Sequence, residues 1–124
     1  KAAVVGAPCI DLNSMYVTSD IGISFGEAQW GGSSVDAADK MLERSPITYA
    51  ADVDTPVLLL HGDADARCPI SQSEEYFTVL KRLEKEVEFV RFPGCCHLFP
   101  RMGHPKMREE YLTRTLGWFN RYLA

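Results

Sequence analysis

Two apolar runs interrupt the chain with almost no polar break. Residues 2–7 read Ala-Ala-Val-Val-Gly-Ala and stop at Pro8, and residues 56–61 read Pro-Val-Leu-Leu-Leu-His. Runs of this kind suit strands buried on both faces, as in parallel sheets. A third strand is expected over residues 87–92, Val-Glu-Phe-Val-Arg-Phe. Between the runs the apolar positions take helical spacing. Residues 34–44 predict a helix capped by Ser34 and stopped before Pro46. Ser71-Gln72-Ser73-Glu74 spells a capping box, which opens a helix with Tyr76, Leu80 and Leu83 on one face. A last helix is expected over residues 106–123, with Leu112, Leu116, Phe119 and Leu123 as its inner stripe. Residues 9–33 are Gly-rich, carry Tyr16, Phe25 and Trp30, and read as a long excursion with one short helix.

The order strand, helix, strand, helix, strand, helix predicts an α/β fold: a mainly parallel sheet with flanking helices. Functional groups in such sheets gather in loops at the carboxyl ends of the strands. Two loops qualify, Gly62–Pro69 and Pro93–Pro105. The chain has 124 residues, enough for one domain or a part of one. It opens directly on a buried strand, so a piece of a longer domain is expected. The net charge is -4, with Lys and Arg scattered, which argues against nucleic acid as a partner. No apolar run reaches the length of a bilayer crossing, so no membrane is expected either. Cys9, Cys68, Cys95 and Cys96 form no CxxC, which disfavours a zinc ribbon. They are expected to be reduced thiols in a cytoplasmic protein.

The first loop holds Asp63 and Asp65, and the second holds His97. A carboxylate and an imidazole on neighbouring loops can meet. The carboxylate would accept a bond from one ring nitrogen. That fixes the tautomer and stabilises the imidazolium formed when the other nitrogen takes a proton. Spacing alone leaves another reading open, a solvated loop acid and a structural histidine.

The segment Thr55–Ile70 resembles a pattern of the prolyl oligopeptidase family, P-x-L-x-x-H-G-x-x-D-x-x-V-P followed by a helix. Cys68 stands where that family usually has Val. Phe92-Pro93-Gly94-Cys95-Cys96-His97-Leu98-Phe99 resembles its P-x-x-x-H-x-F stretch, with Cys96 and Leu98 in place of frequent glycines. Leu116–Leu123 is similar to the closing helix. Met15–Asp20 and Ser45–Tyr49 look like acylaminoacyl peptidases and bacterial dipeptidyl peptidases or oligopeptidases. The resemblance covers nearly the whole chain. It implies the C-terminal part of a single α/β-hydrolase catalytic domain, with Asp65 as triad acid and His97 as triad histidine, in that family's chain order.

The resemblance matches Lys1–Pro8 to the strand after the nucleophile elbow, which puts the serine and the oxyanion hole upstream of Lys1. One G-x-S-x-G does occur, Gly22-Ile23-Ser24-Phe25-Gly26. A nucleophile elbow needs an apolar strand before it and a helix packed on the sheet after it. Residues 13–21 are too polar for the strand, and residues 27–32 stop the helix early. Ser24 is therefore expected to be a decoy. Phe25 and Trp30 are candidate substrate-binding residues of an apolar pocket; ordinary core packing is the competing reading. Arg67 is expected to pair with a glutamate at the surface, His61 to be structural, and Cys68 to lie near Cys95 or Cys96.

The expected function is that of a serine-type peptidase fragment. It would hydrolyse peptide or N-acyl-peptide bonds through an acyl-enzyme, with no cofactor and no metal. A carboxylesterase on the same fold is one alternative. A non-catalytic half-domain serving as an assembly module is another. The expected partners are the substrate and the upstream part of the same domain. Without that part, an unpaired first strand should drive the chain to a homo-oligomer or to aggregation.

Overall fold

The apolar run that begins after Pro56 becomes the central strand. A computed structural model of the chain describes residues 1–123. Among the described residues the sheet has three strands, β1 (Ala3–Gly6), β2 (Val57–Gly62) and β3 (Val87–Phe92), in the order β1-β2-β3. Both pairings are parallel, with Val5 opposite Leu59 and Leu59 opposite Phe89. Every residue of β2 is buried. Successive side chains go to opposite faces, so the leucines split between two cores. Val57 and Leu59 pack with Tyr76, Leu80, Ile10 and Val87. Leu58 and Leu60 pack with Phe92, Cys95, Phe99 and Trp118. Each buried leucine contributes roughly 2 kcal/mol in transfer terms, which is why this strand tolerates no polar residue before His61.

Seven helical segments among the described residues cover the sheet and its rims. They are α1 (Leu12–Thr18), α2 (Gly22–Trp30), α3 (Ala38–Glu43), a 3₁₀ segment (Pro46–Asp52), α4 (Ser71–Arg82), α5 (Phe99–Met102) and α6 (Pro105–Leu123). α4 and the 3₁₀ segment supply one core. α5 and α6 close the other. No described helix is long and apolar enough to cross a membrane.

Four local expectations are corrected. The excursion holds two helices rather than one. Asp11 starts α1 by accepting from the amides of Asn13 and Ser14. The helix expected from Ser34 begins at Ala38 instead, because Ser33 folds residues 33–36 into a turn, its Oγ accepting from the amides of Val35 and Asp36. The capping box does not form: Ile70 occupies the N-cap without a side-chain bond. Ser73 turns to His61 and Glu74 to Arg91. Leu83, at the end of α4, is 40% exposed.

The fourth correction concerns α6. Leu112, Leu116 and Leu123 are exposed and Phe119 is half-buried, while the inward stripe is buried Trp118 with partly buried Met107, Tyr111 and Tyr122. Two parallel stripes of helical period run along this helix one residue apart. The aromatic one wins, since Tyr and Trp bury more area than leucine. Trp118 and Tyr122 meet at a tilt of 57° with ring centroids 4.7 Å apart, and Tyr111 meets Phe92 and Phe99.

Gly22 and Gly26 explain the G-x-S-x-G match in physical terms. Their i, i+4 spacing places both on one face of α2. A Cβ at Gly22 would lie 2.8 Å from the Met15 carbonyl oxygen and overlap that of Tyr16. At Gly26 it would meet the Trp30 ring at 2.7 Å and the Tyr16 ring at 3.0 Å. The two glycines let α2 press against α1. Ser24 sits between them on the helix, with its hydroxyl directed to the Ile21 carbonyl. A helix, α1, and not a strand leads into α2, so Ser24 is not on a nucleophile elbow.

Candidate active site

β2 delivers the chain to the site, and its last residue fixes how close the second loop comes. At Gly62 a Cβ would sit 2.7 Å from the Cys95 carbonyl carbon and overlap its oxygen. The bare backbone lets the loops zip together. The amide of Asp63 donates to the Phe92 carbonyl and that of Ala64 to the Cys95 carbonyl, both at 3.1 Å. Asp63 Oδ1 then accepts from the amide of Gly94 at 2.7 Å, pinning a turn in which Gly94 takes a φ of 66°. Asp63 is therefore a tie between the loops and not the partner of a histidine.

Asp65 is that partner. His97 Nδ1 lies 2.8 Å from Asp65 Oδ2. The acid's side chain is wholly buried while His97 keeps 35% exposure. Asp65 Oδ1 accepts from the amides of Arg67 and Cys68, each at 2.9 Å. A buried carboxylate with donors on both oxygens is held in place and acts as an acceptor. Because Asp65 accepts here, Nδ1 of His97 carries the proton. Nε2 is left as the acceptor, with no hydrogen bond among the described residues.

The open face of His97 borders two cavities. One, of about 220 Å³, is walled by Asp20, Ala64, Ala66, Arg67, Cys96 and Leu98. The other, of about 140 Å³, lies against Gly6, Ala7, Leu60, Phe99 and Tyr111. Ala7 takes a φ of 44°, a strained value for a residue with a Cβ. The strain falls where β1 ends beside His97. Phe25 and Trp30 line neither cavity. They contact each other edge to face at 6.1 Å, and Phe25 is 46% exposed. Arg67 pairs at 2.8 Å with Asp20 rather than with a glutamate. That guanidinium holds the Asp20 carboxyl below its usual range.

His61, a structural residue by its place in the sequence, has surroundings more specific than that. The ring is fully buried. Its Nε2 lies 2.8 Å from the Cys68 carbonyl oxygen and 3.3 Å from Asp65 Oδ2. Its Nδ1 lies 2.7 Å from Ser73 Oγ. Nε2 must donate to a carbonyl, so Nδ1 accepts from the Ser73 hydroxyl. Burial lowers the pKa of this ring, against the opposing pull of the Cys68 carbonyl and Asp65. The ring is thus neutral at pH 7. Ser73, His61 and Asp65 form a serine–histidine–acid contact, but one sealed from solvent and therefore from substrate.

All four thiols are free among the described residues. Cys68 is pushed up to about 12 by burial and by the charge of Asp65. Cys9 and Cys95 are also raised, chiefly by burial. The expected closeness of Cys68 to Cys95 or Cys96 is not what shapes its environment; the neighbouring thiol that acts on it is Cys9. Cys96 is exposed on the wall of the larger cavity. Since the thiolate is the nucleophile, one equivalent of a maleimide should label Cys96 first in the folded chain. Peptide mapping that finds Cys68 labelled before Cys96 would contradict this placement.

Comparison with known proteins gives the family and the fold. The model of the prolyl oligopeptidase family matches residues 1–124. An uncharacterized peptidase of Bacillus subtilis, YuxL, is 42% identical over 99% of the chain, which spans 19% of that relative. The acylaminoacyl peptidase of Pyrococcus horikoshii superposes with a TM-score of 0.94 at 31% identity, over 98% of this chain and 20% of that one. An acylaminoacyl peptidase in complex with Z-Gly-Gly-Phe-chloromethyl ketone superposes with a TM-score of 0.90 at 31% identity, over 97% of this chain and 19% of that one. The chain therefore spans about a fifth of the length of these relatives.

Proposed function

This chain belongs to the prolyl oligopeptidase family of α/β-hydrolase peptidases, and we propose that it supplies the acid and the base of a serine-peptidase active site. The carrying observation is the 2.8 Å contact of His97 Nδ1 with buried Asp65, which leaves Nε2 unbonded among the described residues on a ring that borders a cavity. The serine comes from a segment outside this chain, which is the C-terminal part of one catalytic domain. That segment would pair with the outer edge of β1, which has no partner strand among the described residues.

In the reaction His97 Nε2 removes the proton of the incoming serine hydroxyl as it attacks the substrate carbonyl. Asp65 holds the ring and stabilises the imidazolium that results. His97 then returns the proton to the leaving amine. The acyl-enzyme is cleared by water along the reverse proton path. Oxyanion donors come from the amide after the serine and from another loop, again outside this chain. The substrate class we infer is peptides, including N-acylated ones. The support is that the similar structures are of acylaminoacyl peptidases, one of them holding a blocked tripeptide ketone.

Labelling with a fluorophosphonate tests this reading. The chain alone should remain unlabelled, and the chain joined to its upstream segment should be labelled at a serine of that segment. Ser24→Ala should change neither result. Labelling of Ser24, abolished by His97→Ala, would overturn the reading. The carboxylesterase alternative is separated by substrate: it requires turnover of acyl esters with no cleavage of the matching amides.

A further inference from the structure

Asp65 Oδ2 has two imidazoles against it rather than one. His97 approaches from the solvent side at 2.8 Å and His61 from the interior at 3.3 Å. With the amides of Arg67 and Cys68 on Oδ1, the carboxylate takes three hydrogen bonds and the His61 contact beside them. His61 is itself held at both ends. Ser73 Oγ fixes its Nδ1, and the Cys68 carbonyl accepts its Nε2 proton at 2.8 Å. The four side chains come from three places: the end of β2, the loop after it together with the start of α4, and the loop after β3.

We propose that His61 is a positioning residue of the active site, the inner member of a buried chain Ser73–His61–Asp65–His97 that orients Asp65 and limits how strongly it holds the His97 proton. The inference rests on the reading of Asp65 and His97 as acid and base. Its physical content lies in where one N–H bond is held. The Nε2–H of His61 donates to the Cys68 carbonyl, and that bond keeps its positive end 3.3 Å, measured at the nitrogen, from the oxygen that His97 uses. A neutral ring supplies this dipole without adding a charge, and burial keeps the ring neutral. The dipole draws electron density from Oδ2, so the His97 proton is bound less tightly than by an unshared carboxylate. Removing the donor strengthens the pull of Asp65 on His97 and also frees the carboxylate to rotate.

Other groups face His97 as well. Asp20 and Arg67 form an ion pair on one cavity wall, Cys96 lies beside them, and Tyr111 borders the other cavity. Among the described residues none of these side chains is hydrogen-bonded to His61 or Ser73.

The test uses His61→Leu, His61→Gln and Ser73→Ala in the protein that carries the upstream segment. His61→Leu should lower kcat by about 10- to 100-fold with little change in KM, the range for groups that orient a functional ligand from behind. The acid limb of the kcat/KM profile should move to higher pH. His61→Gln keeps a donor near the Nε2 position and should recover most of the loss. Ser73→Ala, which leaves the ring in place but loosens its tautomer, should move the limb the same way by less. NMR titration of the His97 ring reads the same displacement without turnover. Should His61→Leu fail to fold, the glutamine and Ser73 variants still decide. An unmoved acid limb, with activity tracking only the folded fraction, would make His61 structural and overturn the proposal. Failure of the peptidase reading looks different: His97→Ala would then leave turnover intact.

Discussion

His97→Ala in the protein carrying the nucleophile is expected to lower kcat by on the order of 10⁶-fold, and Asp65→Asn by on the order of 10⁴-fold. The two differ because they remove different things. Alanine removes the base itself. Asparagine leaves the base but inverts the hydrogen bond that sets its tautomer. Asp65 Oδ1 is tied to the amides of Arg67 and Cys68, so an asparagine keeps its oxygen there. Its NH₂ then lands at the Oδ2 position, facing the donor His97 Nδ1–H, with His61 Nε2 3.3 Å away. His97 escapes by moving its proton to Nε2, the nitrogen that must accept from serine. The double variant should be no slower than His97→Ala alone, because the two residues act as a unit. Steady-state kinetics on an N-acyl peptide checks this. Asp63→Asn serves as the contrast. Among the described residues its carboxylate binds only the Gly94 amide, so it should cost stability but leave kcat within about tenfold. Losses that add in the double variant, or a larger loss at Asp63 than at Asp65, would sink the assignment.

Much of this fold is legible in the amino-acid pattern. The three strands stand within two residues of their expected positions, because unbroken apolar runs have little else to become. Periodicity alone places an Asp and a His at the carboxyl ends of β2 and β3, but does not choose between Asp63 and Asp65. Both sit on the same short loop, and the choice turns on which carboxylate faces the sheet interior and which faces Gly94. The H-G-x-x-D resemblance makes that choice. The failures have a common cause. Ser34, the Ser71–Glu74 box and the leucine stripe of α6 are all locally sound signals that lose to tertiary partners. Ser33 claims the turn, His61 and Arg91 claim Ser73 and Glu74, and the aromatic stripe claims the core. The role of His61 is hidden for a related reason. A histidine at the end of a buried strand carries no sign in sequence of which ring nitrogen donates, or to what. The i, i+4 spacing to Asp65 is the available signal.

Gly62→Ala should be the most damaging single change outside the site residues, costing at least about 2 kcal/mol of stability and, in the molecules that still fold, about 10²-fold in kcat. The reason is what the added methyl meets. It would overlap the Cys95 carbonyl and lie 3.0 Å from the Cys95 Cβ. The obstacle is backbone, which cannot swing aside like the tip of a side chain. That same carbonyl accepts from Ala64, and Cys95 lies two residues before His97. Relief of the clash therefore pries apart the two loops whose closeness sets the 2.8 Å contact of His97 with Asp65. A displacement of about 1 Å at the reacting group is enough for a loss of that size. Gly94→Ala isolates the other way a glycine can matter. Nothing lies within 4 Å of the added methyl there, but the φ of 66° is unfavourable to any L side chain. It should cost about 1 kcal/mol of strain without separating the loops. Urea unfolding and kinetics corrected for folded fraction measure both. Equal kcat in the two variants would mean that the approach of Cys95 to Gly62 does not govern His97, and that the loop finds its catalytic position by other contacts.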